Sequence, residues 1–236
     1  MPEGDTIWRT AAALRGRLVG RTVRRSSHEA VQGHQVETVD STGKHLFIHF
    51  AGGLALHTHM GMTGSWYVYR PGERWRLPAW KARVVLECDD VVAVCFSPPV
   101  AELTRDAARA IAHLGPDLLQ PDADLDLVVQ RARACGGVPL GELLLDQRVC
   151  SGIGNVHKCE ALWARRLDPW APTTTLSDAD LRELFGYAQT SLRVNLQGAF
   201  QRRFPGHGAA AVHGRRGWPC PRCGTLVMAR RQGKQG

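Results

Sequence analysis

The sequence predicts an α+β protein, because its hydrophobic pattern changes from strand-like to helix-like along the chain. Apolar and polar residues alternate through much of residues 36–96, which is typical of antiparallel strands. Residues 125–196 instead repeat apolar residues at intervals of three or four, which is typical of amphipathic helices. After Gly198 the chain is rich in glycine, histidine and arginine and contains Cys220-Pro-Arg-Cys223. We therefore expect a β-rich region, a helical region and a small basic tail.

One predicted helix precedes the β-rich region. Apolar residues recur every three or four positions from Ile7 to Leu18, and Thr6 can cap the helix. The segments KHLFIHF (44–50) and LALHTHM (54–60) are joined by an Ala-Gly-Gly turn, and together they predict a β-hairpin. Three more strand-like segments follow, namely GSWYVYR, ARVVLEC and VVAVCF.

The helical region contains a glycine turn between two predicted helices. One helix is expected to end near Val149, Ser151-Gly-Ile-Gly154 forms a tight turn, and the next helix begins near Asn155. Glycines let a backbone approach a ligand closely, and a helix start presents N–H groups to anions. We predict that this turn contacts phosphate, with the Asn155 amide as a further donor; an ordinary helical hairpin is the alternative. Ser177 and Asp180 form a predicted capping pair for the last helix.

The charge is strongly basic and unevenly distributed. The net charge is +8 at pH 7, and no Asp or Glu follows Glu183. Such an excess usually binds a polyanion, most often nucleic acid, although a solvated basic tail gives the same composition. The basic residues of this block are Arg193, Arg202, Arg203, Arg215, Arg216, Arg222, Arg230, Arg231 and Lys234.

The seven cysteines are an odd number in a chain that shows no secretory leader and no apolar run of membrane-spanning length. We therefore expect no disulfide framework, no membrane association and a cytoplasmic location. Five of the cysteines lie in or beside apolar segments and are expected to be small buried residues: Cys88, Cys95, Cys135, Cys150 and Cys159.

Cys220 and Cys223 have the spacing, and the following glycine, of a zinc knuckle. A structural zinc site needs four ligands, and no second cysteine pair follows within the 236 residues. His207 and His213 are the upstream candidates for the missing ligands; the simpler interpretation is a truncated finger. We expect zinc to be held weakly and the segment after about Gly206 to pack poorly.

The start Met-Pro-Glu predicts amine chemistry. Removal of Met1 would make Pro2 the amino terminus, with a secondary amine whose pKa of about 8 leaves part of it unprotonated near neutrality. Such an amine attacks electrophilic carbon and forms Schiff bases with aldehydes, and Glu3 can move the protons. On these residues alone, an inert start is the alternative.

Six segments occur along the chain in the order Pro2-Glu3-Gly4, GKHLFIHF with Lys44, HMGMTGSW, HLGPDLL, DQRVCSGIGNVHKCEALW and CPRCG. This order resembles the formamidopyrimidine-DNA glycosylase / endonuclease VIII family of base-excision repair enzymes. The resemblance spans nearly the whole chain. It implies an N-terminal catalytic β-sandwich with flanking helices (1–115), a helix–two-turn–helix DNA-binding domain (116–206) and an incomplete zinc-finger segment (207–236). The start Gly-Asp-Thr at 4–6 is similar to the endonuclease VIII branch, which tends to prefer oxidised pyrimidines.

The resemblance also implies roles for single residues. Pro2 would be the nucleophile at C1′ of the damaged nucleotide, Glu3 the acid/base, and Lys44 a lysine that contacts DNA and assists catalysis. Met62 would fill the gap left by the flipped-out base, and Asn155 would bind backbone phosphate. An exposed strand-end lysine and a methionine packed on the sheet are the alternatives for Lys44 and Met62.

The expected function is that of a bifunctional DNA glycosylase and AP lyase acting on damaged double-stranded DNA by β,δ-elimination. The resemblance implies a monomer without an organic cofactor, acting at the nucleoid in the bacterial cytoplasm, with structural zinc as the only metal. An AP lyase without glycosylase activity and a non-catalytic damaged-DNA-binding protein are the alternatives. The chain departs from the family pattern at Thr42, often arginine, and at His157, often tyrosine. It also lacks the second cysteine pair and the catalytic arginine that precedes it.

Overall fold

The computed structural model describes residues 2–196 and 202–233. Within them the chain divides into two compact units. The first unit contains Pro2 and Thr6–Ala112, and the second contains Glu3–Asp5 and the chain from His113 onward. Met1, whose removal the sequence analysis expects, lies outside the described residues.

The first unit is built from two antiparallel four-stranded sheets. The strands, in chain order, are β1 (Arg25–Ser26), β2 (Val36–Thr42), β3 (His45–Phe50), β4 (Leu54–His59), β5 (Ser65–Tyr69), β6 (Ala82–Glu87), β7 (Val92–Phe96) and β8 (Val100–Thr104). They pair in the order β1-β6-β7-β5 in one sheet and β2-β3-β4-β8 in the other. Helix α1 (Gly4–Leu18) precedes them and helix α2 (Ala107–Ile111) follows. The predicted antiparallel region is confirmed.

Side chains from both sheets and from α1 form one hydrophobic core. Ile7 and Leu14 of the helix lie in it beside Ile48 of one sheet and Val84 and Leu86 of the other, and each is at most 1% exposed. Burying an aliphatic side chain of this kind stabilises a fold by about 1.5–3 kcal/mol. The apolar residues of the alternating pattern are therefore buried in a core that both sheets and α1 share.

The predicted hairpin is confirmed as the pair β3–β4. Its register runs from His45 opposite His59 to Phe50 opposite Leu54. Gly52 and Gly53 have φ angles of 89° and 79°, a region that favours glycine because other residues meet steric strain there. The turn between the strands therefore requires the two glycines of the Ala-Gly-Gly segment.

The second unit is helical. Its helices are α3 (Leu125–Ala134), α4 (Leu140–Leu143), α5 (Asn155–Arg165) and α6 (Asp178–Arg193). The predicted capping pair is confirmed: the Ser177 hydroxyl accepts the Asp180 N–H, and the Asp180 carboxylate accepts the Ser177 N–H. The predicted helix start at Asn155 is confirmed as well.

Two predicted helix boundaries are wrong. The helix expected to end near Val149 ends at Leu143, because Asp146 and Gln147 side chains bind nearby backbone groups instead of leaving them to a helix. Helix α1 begins at Gly4 rather than after Thr6. The Gly4 N–H donates to the Gly152 carbonyl at 2.9 Å, so a long-range bond determines the start of this helix.

Across the two described ranges, no helix combines the length and the apolar character that crossing a membrane requires.

Candidate active site

Glu3 is a fully buried carboxylate in the second unit. It accepts backbone N–H groups at the start of α5: Gly154 at 3.1 Å, Val156 at 2.8 Å and His157 at 3.2 Å. The first N–H groups of a helix have no partner within the helix, and the helix dipole is positive at this end. The Glu3 carboxylate therefore lies where the start of α5 favours negative charge. Its three hydrogen bonds offset the cost of burying it.

The glycines of the Ser151–Gly154 turn make room for Glu3. A Cβ on Gly154 would lie 2.5 Å from the Glu3 side chain, and Gly152 has a φ of 107°. From the sequence alone, the helix start is expected to offer these N–H groups to phosphate. That expectation is wrong for Gly154, Val156 and His157, because Glu3, which is about 150 residues away in sequence, already accepts them.

Asp5 is a second fully buried carboxylate close to Glu3. Arg202 donates to both of its oxygens at 2.8 Å, through Nε and Nη2. Burial raises the pKa of Asp5, but the neighbouring His157 and Arg202 side chains outweigh that effect and hold it well below its ordinary value. Arg202 belongs to the basic block that the sequence predicts to bind a polyanion; the structure instead gives it a buried partner, in a geometry that only a guanidinium provides.

His157 is completely buried beside both carboxylates. Its Nδ1 lies 2.8 Å from the Ser191 hydroxyl, and its Nε2 lies 3.9 Å from Glu3 Oε2 and 3.7 Å from Asp5 Oδ2. Within the described part of the chain this Nε2 has no hydrogen-bond partner. In the sequence His157 stands out only as a departure from a family pattern, and nothing there indicates that it lies beside Glu3.

Glu160, one turn further along α5, is a third fully buried carboxylate. It accepts the backbone N–H groups of Ala211, Val212 and His213 at 2.7–3.0 Å. Ala211 itself is only 3% exposed, so the poor packing expected after Gly206 is wrong for this residue. Three side chains further along the tail are exposed, as expected: Trp218 (62%), Leu226 (59%) and Met228 (75%).

The first unit contains the other three residues predicted near the chemistry. Pro2 is partly buried. Lys44 lies in the turn before β3 and Met62 in the turn between β4 and β5. Met62 is 74% exposed, whereas a Cβ on its neighbour Gly61 would lie 2.7 Å from the Pro99 ring. The turn therefore packs closely against Pro99 while Met62 projects into solvent.

Three histidines lie near Lys44 and were missed as a group. His45 Nδ1 is 2.8 Å from His57 Nε2, and His57 Nδ1 is 3.1 Å from a Glu102 oxygen. Burial and the nearby charge of Lys44 lower the pKa of His59. The signal for this cluster is the two-residue spacing of His57 and His59, which places them on one face of a strand, with His45 opposite His59 on the neighbouring strand.

Cys220 and Cys223 lie in a tight turn of the tail. The Cys220 N–H donates to the Thr225 carbonyl at 2.8 Å, and the Gly224 N–H donates to the Cys220 carbonyl at 2.9 Å. A hydrogen bond from Trp163 Nε1 to Cys220 Sγ, at 3.4 Å, contributes most to lowering the pKa of this thiol to about 7.

The residues present do not complete a zinc site. In the ranges that the structure describes, no three His, Cys, Asp or Glu side chains are placed to hold a metal ion. His207 instead contacts the Tyr187 hydroxyl and the Ala209 carbonyl. Cys220 and Cys223 therefore offer two of the four ligands that a closed zinc site needs.

Models of two protein families match this chain. The formamidopyrimidine-DNA glycosylase N-terminal domain matches residues 1–99, and the formamidopyrimidine-DNA glycosylase H2TH domain matches residues 114–203. "Probable endonuclease 8 2" of Streptomyces coelicolor is 40% identical over 99% of this chain and 88% of its own length. "DNA-(apurinic or apyrimidinic site) lyase Nei2" of Mycolicibacterium smegmatis is 36% identical over 100% of this chain and 95% of its own length.

Solved structures have the same fold. The MutM (Fpg) protein of Thermus thermophilus superposes with a TM-score of 0.82, at 27% identity, over 99% of this chain and 95% of its own. Lactococcus lactis formamidopyrimidine-DNA glycosylase, bound non-covalently to DNA containing an AP site, superposes with a TM-score of 0.82 at 17% identity. That comparison covers 96% of this chain and 93% of the other, and it supports the fold alone.

Proposed function

This chain belongs to the formamidopyrimidine-DNA glycosylase / endonuclease VIII family, and from that membership we propose that it is a DNA glycosylase and AP lyase of base excision repair. The observation that carries the proposal is the environment of Glu3. A fully buried carboxylate held by three N–H groups fixes the residue that directly follows Pro2. This fixed position beside Pro2 supports a functional role for the start of the chain.

In the proposed reaction the Pro2 amine is the nucleophile. Its nitrogen attacks C1′ of the damaged nucleotide, the bond from C1′ to the base breaks, and the base leaves with a proton. Opening of the sugar gives a Schiff base, and elimination then cuts the strand on the 3′ and next the 5′ side. Glu3 is the group that moves the protons, because it is the carboxylate next to the nucleophile in sequence. This role requires removal of Met1.

Three further residues are proposed to contact DNA. Lys44 would bring a cation to the strand near the reacting sugar, and its position in a turn places it outside the strand ladder. Met62 would enter the base stack, which its 74% exposure and unbranched shape support. Asn155, the first residue of α5, would bind a backbone phosphate.

The domain roles follow from these residues. Residues 1–115 would form the catalytic domain, residues 116–206 the DNA-binding domain, and residues 207–236 a finger segment. Zinc binding by Cys220 and Cys223 remains a prediction, and no catalytic step is derived from it. The preferred lesions would be oxidised pyrimidines, on the likeness of the start Gly-Asp-Thr to the endonuclease VIII branch.

A second candidate is an AP lyase without glycosylase activity. It is favoured by the M. smegmatis relative, which is named as an AP-site lyase. The amine chemistry requires Pro2, whereas excision also requires recognition of the lesion.

Borohydride trapping tests the proposal. Protein whose amino terminus is shown to be Pro2 is mixed with a duplex carrying an abasic site and, separately, with a thymine-glycol duplex. We expect a covalent protein–DNA product from both duplexes, and no product from protein that retains Met1. A product from the abasic duplex alone would support the second candidate. Equal trapping by protein that retains Met1 would exclude Pro2 as the nucleophile.

A further inference from the structure

His157 lies close enough to Glu3 to influence its carboxylate, although it does not attack the substrate itself. It lies in the first turn of α5, and its ring is completely buried against Phe204, with the two ring centroids 5.6 Å apart. One edge of the imidazole faces Ser191, and the other edge faces Glu3 and Asp5. Water does not reach this histidine, so its neighbours determine where its proton lies.

The carboxylates determine the tautomer. An ionised carboxylate can only accept hydrogen bonds, so the Nε2 that faces two of them is the nitrogen that carries the hydrogen. In the neutral ring Nδ1 is then an acceptor, and the Ser191 hydroxyl at 2.8 Å donates to it. Ser191 therefore holds the ring with Nε2–H directed at the space between Glu3 and Asp5.

The distances leave this donor available to either carboxylate. Nε2 is 3.9 Å from Glu3 Oε2 and 3.7 Å from Asp5 Oδ2, and a hydrogen bond of this type is about 2.8–3.0 Å long. A movement of roughly 1 Å would complete a bond to one or the other. Asp5 already has the two Arg202 bonds, whereas Glu3 is held by backbone N–H groups and has Arg202 Nη1 at 4.0 Å.

We propose that His157 is the positioning residue for Glu3, giving its Nε2–H to Glu3 when that carboxylate is ionised and to Asp5 when Glu3 carries a proton. No proton passes through His157 in this exchange; only its hydrogen bond changes partner. The exchange keeps the imidazole donor satisfied in both protonation states of Glu3. It therefore reduces the energetic cost of changing the charge of a buried acid/base. This inference rests on the proposed function, because it assigns a partner to the residue that moves protons there.

A pair of substitutions separates the two edges of the ring. His157→Gln keeps an amide donor near the position of Nε2, whereas His157→Asn keeps a polar group near Nδ1 and Ser191 but removes the donor that faces the carboxylates. Single-turnover excision from a thymine-glycol duplex gives the rate. Affinity for a duplex carrying tetrahydrofuran, an abasic analogue that cannot react, gives the binding.

We expect His157→Asn to lower the excision rate by about tenfold or more, the size of one hydrogen bond to a charged group. The affinity for the tetrahydrofuran duplex should change by no more than about twofold, since this buried ring is not expected to touch DNA. His157→Gln should recover most of the lost rate. Equal losses in both variants, or equal losses of rate and affinity, would mean a structural role and would overturn the inference.

A second measurement does not depend on the variants folding. Nitrogen-15 NMR of the wild-type histidines should show the Nε2–H tautomer for His157 at neutral pH, with Ser191→Ala weakening that preference. An Nδ1–H tautomer in the wild type would overturn the inference even if neither variant folds. Wild-type protein that neither excises thymine glycol nor traps on abasic DNA would instead refute the proposed function, and the positioning role with it.

Discussion

Glu3 and Glu160 are held in the same way by the fold, but we propose different roles for them. Each is fully buried, and each carboxylate accepts three backbone N–H groups. The donors to Glu3 belong to a helix start, whereas those to Glu160 belong to residues 211–213 of an irregular segment. Glu3 follows the proposed nucleophile, and Glu160 fixes a segment of backbone. Burial and hydrogen bonding alone therefore do not identify a catalytic carboxylate; the neighbouring reactive group does.

The largest expected effect is on base excision, and it tests the proposed catalytic role of Glu3. Glu3→Gln should lower base excision by about a thousandfold, the middle of the range for loss of a general acid/base, because an amide cannot exchange the proton. DNA affinity should change little. Single-turnover excision and fluorescence-anisotropy binding would be measured on the same preparation. Excision at the parental rate would show that Glu3 is as structural as Glu160.

A smaller effect on the excision rate is expected when a methyl group at position 154 fills the space beside Glu3. In Gly154→Ala the new methyl carbon would lie 2.5 Å from Glu3, so the carboxylate or the hairpin must shift. We expect a stability loss of about 1–3 kcal/mol, as for other overpacked sites. A displaced reacting group commonly costs about a hundredfold in rate.

Gly137→Ala is the matched control for Gly154→Ala. A Cβ on Gly137 would meet nothing within 4 Å, and its φ lies outside the region reserved for glycine. Chemical denaturation and excision assays on both variants should separate a steric effect at Glu3 from a general effect of replacing glycine. Indistinguishable variants would mean that the Glu3 site tolerates the extra carbon.

Glu160→Gln tests the structural half of the comparison. The amide would place donor hydrogens against backbone N–H groups, so at least one bond at residues 211–213 is lost. We expect the free energy of unfolding to fall by about 1.5–3 kcal/mol, the worth of one hydrogen bond to a charged group. The excision rate per folded molecule should stay at the parental level.

The exposed Glu183 supplies a comparison for Glu160. It pairs with Arg165 at the surface, where an ion pair contributes at most about 1 kcal/mol. Glu183→Gln should therefore shift the urea midpoint much less than Glu160→Gln does. A stable Glu160→Gln variant with impaired excision would reverse the assignment of the two buried glutamates.

The smallest effect concerns the pH dependence of the stabilisation by the buried Asp5 carboxylate. Because the pKa of Asp5 is lower in the folded chain than in the unfolded chain, Asp5 contributes its full stabilisation above an unfolded pKa of about 4. That contribution is lost as the pH falls below this value. The difference in unfolding free energy between wild type and Asp5→Asn should be constant from about pH 5 to 8 and should shrink towards pH 3. Urea titrations across this range would detect a flat difference, which would contradict the assigned shift.

Local sequence patterns were sufficient to predict the β-hairpin and the start of α6. The alternation in KHLFIHF and LALHTHM predicted the hairpin, and Ser177 with Asp180 predicted the start of α6, because a strand face, a turn or a cap is determined by a few adjacent residues. The predicted helix end near Val149 was wrong because contacts beyond the adjacent residues decide where this helix ends. The Gln147 side chain binds the Ile153 carbonyl, and propensity does not record that competition.

The sequence by itself determined the order of strands and helices, and it predicted the reactivity of Pro2-Glu3 and the pairing of Cys220 with Cys223 as metal ligands. Only the tertiary structure decided that Glu3 is held by Gly154, that Arg202 binds Asp5, and that His157 lies between two carboxylates. A buried charge must find partners wherever the fold brings donors, and these donors come from positions some 150–200 residues away. Periodicity describes which face of an element is buried. It carries no information about which distant polar group meets that face.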